Sequence, residues 1–461
     1  KVKNDEEVLN LIDNFLDEKN SFIFESVEKG RIKGRYTIFG KNPDKIWEFN
    51  NNKILIHQNN KKKIIKKNPY MFLKKIIEDF NFKLPPNLPD LSSLLVGYFS
   101  YDIIRYIEKI PNKCVDDLKI PDVRLMRPKT LIIHDNILKN IYFIYNCFAD
   151  ERITSYSKYY YELVKDLKNL KEFSFKTKKK LNKVIKKNKE IVIRSNISKN
   201  KFKQNVIKAK KYIKKGDIFQ VVLSQRFESK LTKSPLEIYK KLRITNPSPF
   251  MFFFNFKDFQ IIGSSPEILV RLRSEKITIR PIAGTRPRGS NRKKDLFYKN
   301  QLLNDKKELS EHLMLLDLGR NDVGKVSKVN TVEVTEKFKI EKYSHVMHIV
   351  SNVEGKFNNK HSLLDTMLAG FPAGTVTGAP KIRSMEIIDE LEKSKRKMYA
   401  GSIGYFSANK NFDTCIALRT ALIKNKKFYI QSGAGIVADS VPENEYIETV
   451  NKAKALFNSL S

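Results

Sequence analysis

The chain has 461 residues, of which 41% are hydrophobic and 11% aromatic, and it carries 88 Lys and Arg against 51 Asp and Glu, a formal net charge of +37. This is the composition of a globular protein that can bury a large core, and no apolar run approaches the ~20 residues that cross a bilayer. The first ten residues lack the apolar core of a secretory signal, and the three Cys residues are widely spaced, so we expect a cytoplasmic protein with no membrane span and no disulfide framework. The positive charge is mostly dispersed Lys without a nucleic-acid-binding motif, which favours a compositional bias over a nucleic-acid partner.

The first 150 residues alternate short apolar runs with loops, a pattern that predicts strands. Residues 153–170 predict a helix, and the Lys-rich stretch after it predicts a solvated linker. We therefore expect an N-terminal region at 1–170, a charged linker at 171–194 and a third region at 195–461. The strands predicted in the first region are 21–26, 36–39, 54–57, 94–99, 131–134 and 141–148.

The third region begins with helical periodicity over 202–215, which ends at Gly216, a residue suited to the position after a helix. Strand-like runs then alternate with isolated helices. This order predicts an α+β fold with large, mainly antiparallel sheets. The predicted strands are 218–227, 251–256, 261–262, 268–272, 277–282, 402–406, 414–423 and 428–431, and the predicted helices are 302–317, 362–368, 384–392 and 443–460.

Residues 371–390, FPAGTVTGAPKIRSMEIIDE, form the most informative segment. Its Pro, Gly and Thr residues suit a tight loop whose backbone N–H groups can approach a ligand. The loop continues directly into an amphipathic helix, and a helix N-terminus is a place to hold an anion. The same pattern also fits an ordinary loop and helix cap.

Two pairs of carboxylates recur at a spacing of three residues, which places both members of a pair on one helix face. They are Glu308 with Glu311, and Glu445 with Glu448. Such pairs are common on solvated helices, although the Leu-rich sequence around the first pair indicates reduced exposure. His345 and His348 have the same spacing in an apolar run, where a histidine is more often a packed core residue.

The segment 371–390 resembles the signature of the chorismate-utilising enzymes, and its Ala373, Thr375 and Val376 resemble the anthranilate synthase component I branch of that family. Further blocks follow in family order, among them GDIFQVVLSQR, RPIAGTRPRG and YSHVMHIVSNVEG. The resemblance runs with gaps from about residue 21 to the C-terminus. It implies two packed β-sheets with helices outside and an active site in the cleft between the sheets.

The resemblance also implies residue roles. Glu311 and Glu448 are expected to coordinate Mg²⁺, supported by Glu308 and Glu445, and all-oxygen ligands suit that ion. Glu267 is the expected general acid for loss of the C4 hydroxyl of chorismate, a role that requires a raised pKa. The other expected site residues are His348, for pyruvate elimination, the catalytic residue Thr377, and the substrate-binding residues Gly284, Thr285, Tyr399, Arg419, Gly433, Ala434, Gly435 and Lys452.

Two of these substrate contacts have a stated chemistry. Arg419 suits a bidentate grip on the enolpyruvyl carboxylate. The segment 433–435 is expected to be a turn that offers backbone N–H donors.

Two positions distinguish branches of the family. Ala283 stands where aminodeoxychorismate synthases carry a nucleophilic Lys, and Gln220 stands where isochorismate and salicylate synthases carry a Lys that activates water. Ammonia is then the remaining nucleophile, and anthranilate is the expected product. The alternatives are aminodeoxychorismate synthase component I and a non-catalytic anion- or nucleic-acid-binding protein on the same scaffold.

The family supplies ammonia from a glutamine amidotransferase, and the Cys residues here lie in no G-x-C-x-G nucleophile turn. A separate amidotransferase subunit is therefore the expected partner. The resemblance also implies a tryptophan site for feedback inhibition, formed by Ser26 of the IFES segment and by Pro249, Phe250 and Met251 of the NPSPFM segment. Phe24 and Phe250 depart from the family pattern, which alters either inhibitor affinity or core packing.

Overall fold

The computed structural model describes residues 5–28, 31–32, 34–58, 61–148, 157, 160–161, 164–165, 167–169, 172, 192–343 and 346–458. Twenty-one strands of these residues join into one hydrogen-bonded sheet, and two further strands form a small hairpin. The ladders between neighbouring strands are antiparallel throughout the described parts of the chain. The predicted α+β class with mainly antiparallel pairing is confirmed.

The strands are numbered in chain order, and β2 with β3 forms the small hairpin. Most of them are short, and the longest, β4, bends at a register shift. The strands are β1 Ser21–Glu25, β2 Val27–Glu28, β3 Arg31–Ile32, β4 Tyr36–Asn50, β5 Lys53–Gln58, β6 Lys61–Lys66, β7 Leu94–Phe99, β8 Val123–Asp135, β9 Asn140–Tyr145, β10 Arg194–Ser195, β11 Gln220–Lys230, β12 Phe250–Asn255, β13 Gln260–Ser265, β14 Ile268–Arg273, β15 Lys276–Ile279, β16 Ile282–Pro287, β17 Glu333–Lys342, β18 Val346–Lys356, β19 Gly378–Ala379, β20 Ser402–Ser407, β21 Phe412–Ile416, β22 Thr420–Lys424 and β23 Lys427–Ile436.

Helices pack against these strands, and none of the described helices is long and apolar enough to cross a membrane. Within the predicted helix 153–170 the described residues 157, 160–161, 164–165 and 167–169 are helical, whereas the linker 171–194 lies almost entirely outside the described residues, so the boundaries drawn there stay predictions. The helices are α1 Asp5–Phe15, α2 Pro69–Asp79, α3 Lys199–Lys214, α4 Pro235–Thr245, α5 Arg292–Leu303, α6 Lys306–Gly324, α7 Leu363–Ala369, α8 Lys381–Leu391 and α9 Pro442–Phe457.

Local signals explain where the elements end. The side chain of Asp305 accepts hydrogen bonds from the backbone N–H groups of Lys307 and Glu308. This cap starts a new helix, so the predicted helix 302–317 is divided between α5 and α6. The predicted strand 414–423 is likewise two strands, β21 and β22, because the backbone is irregular at Arg419, whose φ is +47°, although both strands continue in one direction along β14 and β13.

Two other segments differ from the prediction. The expected turn at 433–435 is extended backbone within β23, where it pairs with β11. The predicted strand 277–282 is divided between β15 and β16, which both pair with β18. The composition of each segment, apolar or glycine-rich, fits both a strand and a turn. Pairing with a distant strand, β11 or β18, determines which of the two forms.

Strands from the two ends of the chain alternate in the sheet. β1 pairs with β4 on one side and with β12 on the other, and β7 pairs with both β8 and β20. Gly97 of β7 lies opposite Gly404 of β20, and a Cβ atom added to Gly97 would lie 1.9 Å from the carbonyl oxygen of Arg124. The N-terminal and third regions therefore share one sheet and one main core.

Candidate active site

His348 and Thr285 lie opposite each other in the ladder between β16 and β18. The Nδ1 atom of His348 is 3.0 Å from the carbonyl oxygen of Gly284 and 3.0 Å from Oγ1 of Thr285. Because a carbonyl oxygen only accepts, this contact assigns the proton to Nδ1 and leaves a lone pair on Nε2. Burial, with smaller contributions from Arg419 and Lys452, lowers the pKa of His348 to about 4. The imidazole is therefore neutral at pH 7 and can accept a proton.

Glu267 is buried in the two-residue link between β13 and β14, with 5% of its surface exposed. Burial raises the pKa of this carboxyl to about 8, against the opposing effects of a hydrogen bond from Thr375, the backbone of Ile282 and the charge of Arg419. Glu267 therefore stays mostly protonated at neutral pH. A buried carboxyl that carries a proton at pH 7 can act as a general acid.

Arg419 supplies positive charge beside these two groups. Its guanidinium makes no hydrogen bond or ion pair with another side chain among the described residues, and burial lowers its pKa. The ring of Tyr343 packs edge-on against His348 at 5.4 Å, and its hydroxyl donates to Glu341. A half-buried guanidinium without an ion-pair partner can bind a carboxylate of an incoming ligand.

The glycines of β23 allow other groups to approach its backbone. A Cβ atom on Gly433 would lie 2.7 Å from the hydroxyl of Tyr399, and one on Gly435 would lie 2.7 Å from Nε2 of Gln220. Lys452 of α9 donates to the carbonyl oxygen of Gly433 at 3.1 Å. Ala434, between the two glycines, packs into the apolar cluster of α3 and α8. The backbone of β23 at Gly433 therefore lies close to both Tyr399 and Lys452.

Thr377 lies in the turn that precedes α8. Its carbonyl oxygen accepts a hydrogen bond from the N–H group of Val222 at 2.9 Å. Its hydroxyl is buried and has no hydrogen-bond partner in the part of the chain that the structure describes. An unpaired buried hydroxyl is costly, which is consistent with a ligand partner.

The four glutamates lie on two facing helices, Glu308 and Glu311 on α6, and Glu445 and Glu448 on α9. Burial raises the pKa of Glu311, and the negative charges of the other three glutamates raise it further against Lys307. The carboxylates of Glu308, Glu445 and Glu448 therefore lie within electrostatic reach of Glu311.

Two of these carboxylates already have cationic partners. Glu308 accepts from Arg286 at 2.9 Å, and Glu448 pairs with Lys452 at 2.6 Å. Among the described residues no group of three or more His, Cys, Asp or Glu side chains is placed to hold a metal ion. A site with one carboxylate from each helix would still fit Mg²⁺, which binds few protein ligands directly and keeps oxygen ligands from water or substrate.

The expected inhibitor residues meet at a second location. The N–H group of Val27, next to Ser26, donates to the carbonyl oxygen of Ser248 at 3.1 Å, and Glu25 lies opposite Met251. The segment 249–251 therefore lies beside Ser26, although the two are more than 220 positions apart. Phe24 is buried and packs edge-on against Phe254 and Tyr405, which makes it a core residue.

The sequence analysis missed several residues of the candidate active site. Thr375 donates to Glu267, Arg286 binds Glu308, and Arg396 binds the turn that carries Thr375. Arg396 lies in the run KSKRK, which has the composition of a solvated surface, yet it is 2% exposed. A signal was present for Thr375, since it belongs to the segment 371–390.

Comparison with known proteins identifies relatives over almost the whole chain. Residues 19–458 match the family described as chorismate binding enzyme. The chain is 46% identical to the anthranilate synthase component 1 of Cereibacter sphaeroides over 444 residues, which cover 95% of this chain and 88% of the relative. It is 44% identical to the protein of that name from Acetivibrio thermocellus, over 98% of this chain and 92% of the relative.

Solved structures give the same result. The crystal structure of anthranilate synthase component I from Streptococcus pneumoniae TIGR4 superposes with a TM-score of 0.82 at 37% identity, over 92% of this chain and 93% of that one. The menaquinone-specific isochorismate synthase from Escherichia coli superposes with a TM-score of 0.71 at 18% identity, over 97% of this chain and 91% of that one, which shows a shared fold.

The protonation of Glu267 can be tested directly. We expect the infrared spectrum of the protein at pH 7 to contain the carbonyl band of a protonated carboxylic acid, which is lost as the pH rises through about 8. Glu267→Gln should remove this band, because the amide cannot titrate. Asp295, whose pKa is lowered chiefly by its hydrogen bond with Arg288, provides the control, since Asp295→Asn should leave the band unchanged. A wild-type spectrum without the band at pH 7 would contradict the assignment.

Proposed function

We propose, since this chain belongs to the family of chorismate-binding enzymes, that it is the chorismate-converting component of an anthranilate synthase. The reaction converts chorismate and ammonia to anthranilate and pyruvate, the first step of tryptophan biosynthesis. The observation that carries the assignment is one site holding a carboxyl that stays protonated, Glu267, and an imidazole that stays neutral, His348. A reaction that protonates one leaving group and later removes a ring proton needs this pair.

Glu267 acts in the first half-reaction. Ammonia forms a bond to C2 of chorismate while the bond between C4 and its hydroxyl breaks, and Glu267 gives its proton to the departing oxygen, which leaves as water. The product of this step is 2-amino-2-deoxyisochorismate. Arg419 binds a carboxylate of the dianionic substrate and holds the ring in place.

His348 acts in the second half-reaction. Its Nε2 atom accepts the proton from C2 while the C3–O bond breaks and pyruvate leaves. Aromatisation of the ring supplies much of the driving force. The contacts of Nδ1 with Gly284 and Thr285 keep the ring oriented and the lone pair on Nε2.

The proposed metal is Mg²⁺, held by Glu311 and Glu448 with Glu308 and Glu445 in support. When bound, it neutralises the ring carboxylate of chorismate and orients the molecule. The electrostatic interaction of Glu311 on α6 with Glu445 and Glu448 on α9 supports this assignment. Gly284 supports it as well, because a side chain there would meet Oε2 of Glu308.

The proposed partner is a glutamine amidotransferase subunit, the source of ammonia at neutral pH. Ammonia is mostly protonated there, and only the neutral form is a nucleophile. The net charge of +37 favours both the dianionic substrate and an acidic partner surface.

Product identification tests the proposed reaction. The purified chain is incubated with chorismate, Mg²⁺ and an ammonium salt at alkaline pH, and the products are separated by chromatography. We expect anthranilate and pyruvate. Formation of 4-amino-4-deoxychorismate would assign the chain to the aminodeoxychorismate branch, and no turnover would favour a non-catalytic role.

We expect Glu311→Gln and Glu448→Gln each to nearly abolish turnover with ammonia or glutamine as the nitrogen source, because each removes a negative ligand of Mg²⁺. Steady-state assays over a range of Mg²⁺ concentrations measure the effect. Glu443→Gln is the matched control, since Glu443 lies on α9 but pairs with Lys199 and Lys203. Near wild-type, Mg²⁺-dependent activity in both site variants would refute the metal assignment.

We expect His348→Ala to slow pyruvate elimination more than amination, because it removes the group that accepts the ring proton. Aminodeoxyisochorismate should then accumulate and be visible by chromatography during single-turnover experiments. The amination rate of the same variant is the internal control. Anthranilate formation at the normal rate, without an intermediate, would make His348 a packing residue.

Tryptophan is the proposed feedback inhibitor, at the location formed by Ser26, Pro249, Phe250 and Met251. The contact between these two distant segments supports a shared pocket. Inhibition is then a coupling between two sites, and chorismate must weaken tryptophan binding by the same factor as tryptophan weakens chorismate binding.

We expect tryptophan to bind the isolated chain, and Phe250→Tyr to strengthen binding by about tenfold or less, the value of one hydrogen bond. Isothermal titration calorimetry with and without chorismate measures both effects. No heat of binding at a tryptophan concentration of about 1 mM, where a typical weak complex already forms, would show that the inhibitor site is lost. The catalytic assignment would be unaffected.

A further inference from the structure

Arg396 holds the turn Gly374–Val376 and the residue after it in place. The side chain is 2% exposed. Its Nη1 atom donates to the carbonyl oxygen of Val376 at 2.8 Å, and its Nη2 atom donates to the carbonyl oxygen of Val222 at 2.6 Å. A single planar guanidinium therefore joins the turn to β11.

The guanidinium is itself held by Glu392. Nε of Arg396 donates to Oε2 at 2.9 Å, and Nη2 donates to Oε1 at 2.6 Å. Oε1 also accepts from both the backbone N–H group and the hydroxyl of Ser224, each at 2.8 Å. The opposite charges of Arg396 and Glu392 thus compensate each other, and their hydrogen bonds fix the orientation of the guanidinium plane.

β11 connects this pair to the rest of the site. Val222 donates its N–H group to Thr377 and lies opposite Gly435 of β23. The Arg396 side chain therefore lies where the turn meets the strand that carries the proposed substrate contacts.

When the turn is held in this position, the side chain of Thr375 reaches Glu267. Oγ1 of Thr375 donates to the two carboxyl oxygens at 3.1 and 3.3 Å. The other groups that act on this carboxyl are the backbone of Ile282 and the charge of Arg419. Thr375 is thus the side-chain donor to Glu267 within the described residues, and it is half-buried rather than fully enclosed.

We propose that Arg396 and Thr375 are positioning residues that act through Glu267: Arg396 fixes the turn, and the Thr375 hydroxyl orients the carboxyl that protonates the leaving group. This inference rests on the proposed function of Glu267. It assigns a catalytic consequence to two residues that do not themselves exchange a proton with the substrate.

The expected pH effect follows from the direction of the hydrogen bond. A hydroxyl that donates to a carboxyl stabilises its ionised form, so loss of the hydroxyl raises the pKa of Glu267 above about 8. A general acid works only while it is protonated. In the profile of amination rate against pH, the alkaline limb, where the rate falls, must then move to higher pH. The poorly oriented acid also lowers kcat.

Thr375→Val and Thr375→Ser test this step with nearly isosteric side chains. Amination rates are measured from pH 7 to pH 10 at a fixed concentration of free ammonia, so that its own titration does not contribute. For Thr375→Val we expect the alkaline limb to shift to higher pH by about half to one pH unit, the effect of one hydrogen bond to a charged group. We expect kcat to fall on the order of tenfold with an unchanged KM for chorismate, since orientation and not binding is lost.

Thr375→Ser keeps the hydroxyl, so its alkaline limb and its kcat should both match those of the wild-type enzyme. A Thr375→Val enzyme with the wild-type limb and kcat would overturn the proposal. Because Thr375 is half-buried and uncharged, this comparison decides the proposal even where an Arg396 variant gives little folded protein.

Arg396→Lys tests the role of the turn, with Arg105→Lys as its matched control. Arg105 also bridges two buried carboxylates, Asp102 and Asp389, but binds no part of the turn. We expect both variants to lower the melting temperature, and only Arg396→Lys to move the alkaline limb. Combined with Thr375→Val, Arg396→Lys should move it no further, because both act through one contact.

An Arg396→Lys enzyme that is less stable but has the wild-type limb would reduce Arg396 to a stabilising residue and overturn its part of the proposal. The proposed function fails separately: it requires the wild-type chain to form anthranilate. Anthranilate formation with identical Thr375→Val and wild-type profiles refutes only the positioning role.

Discussion

The candidate active site depends on two ionisable groups held largely away from water without a direct ion pair, the buried Glu267 and the half-buried Arg419. Transfer of a charge from water to a protein interior is costly unless the charge is paired. Glu267 avoids this cost by keeping its proton, whereas a guanidinium stays charged at any accessible pH. Arg419 is partly exposed, and the remaining cost of its desolvation is offset by the packing of the 21-stranded sheet until an anionic ligand arrives. The chemistry of the site and the stability of the scaffold are thus coupled.

Much of the fold followed from local patterns. Apolar runs located most strands, and Gly216 ended α3 as expected, with a φ of +80°. The errors have a common physical cause, since periodicity cannot say where the backbone reverses. The interruption at Arg419 and the pairing of Gly433 with Ser224 both depend on partner strands that are distant in sequence. β17 and α4 were not predicted, because the alternation of charges in β17 hides its half-buried face and the mixed composition of α4 hides its buried face.

Family motifs located the groups that carry chemistry, and the structure brings Glu267, His348 and Arg419 within electrostatic reach of one another. The roles of these groups stay predictions until the variants are measured. The family motifs did not identify the residues that hold these groups in position. Arg396 and Glu392 lie in a segment that is as charged as a surface loop, and their burial follows only from the packing of the turn against β11. Buried ion pairs of this kind cannot be distinguished from solvated charges by composition.

The alternation of N-terminal and C-terminal strands also determines when a nascent chain can complete its sheet. β7 ends at Phe99, whereas its partner β20 begins at Ser402. At a synthesis rate of about 5–20 residues per second, the roughly 300 intervening residues take on the order of 15–60 s to appear. Throughout that interval one edge of a fully apolar strand has no partner, and such an edge is a template for association with other chains. The arrangement that joins both ends of the chain in one core therefore leaves this edge of the growing polypeptide open to association until β20 has left the ribosome.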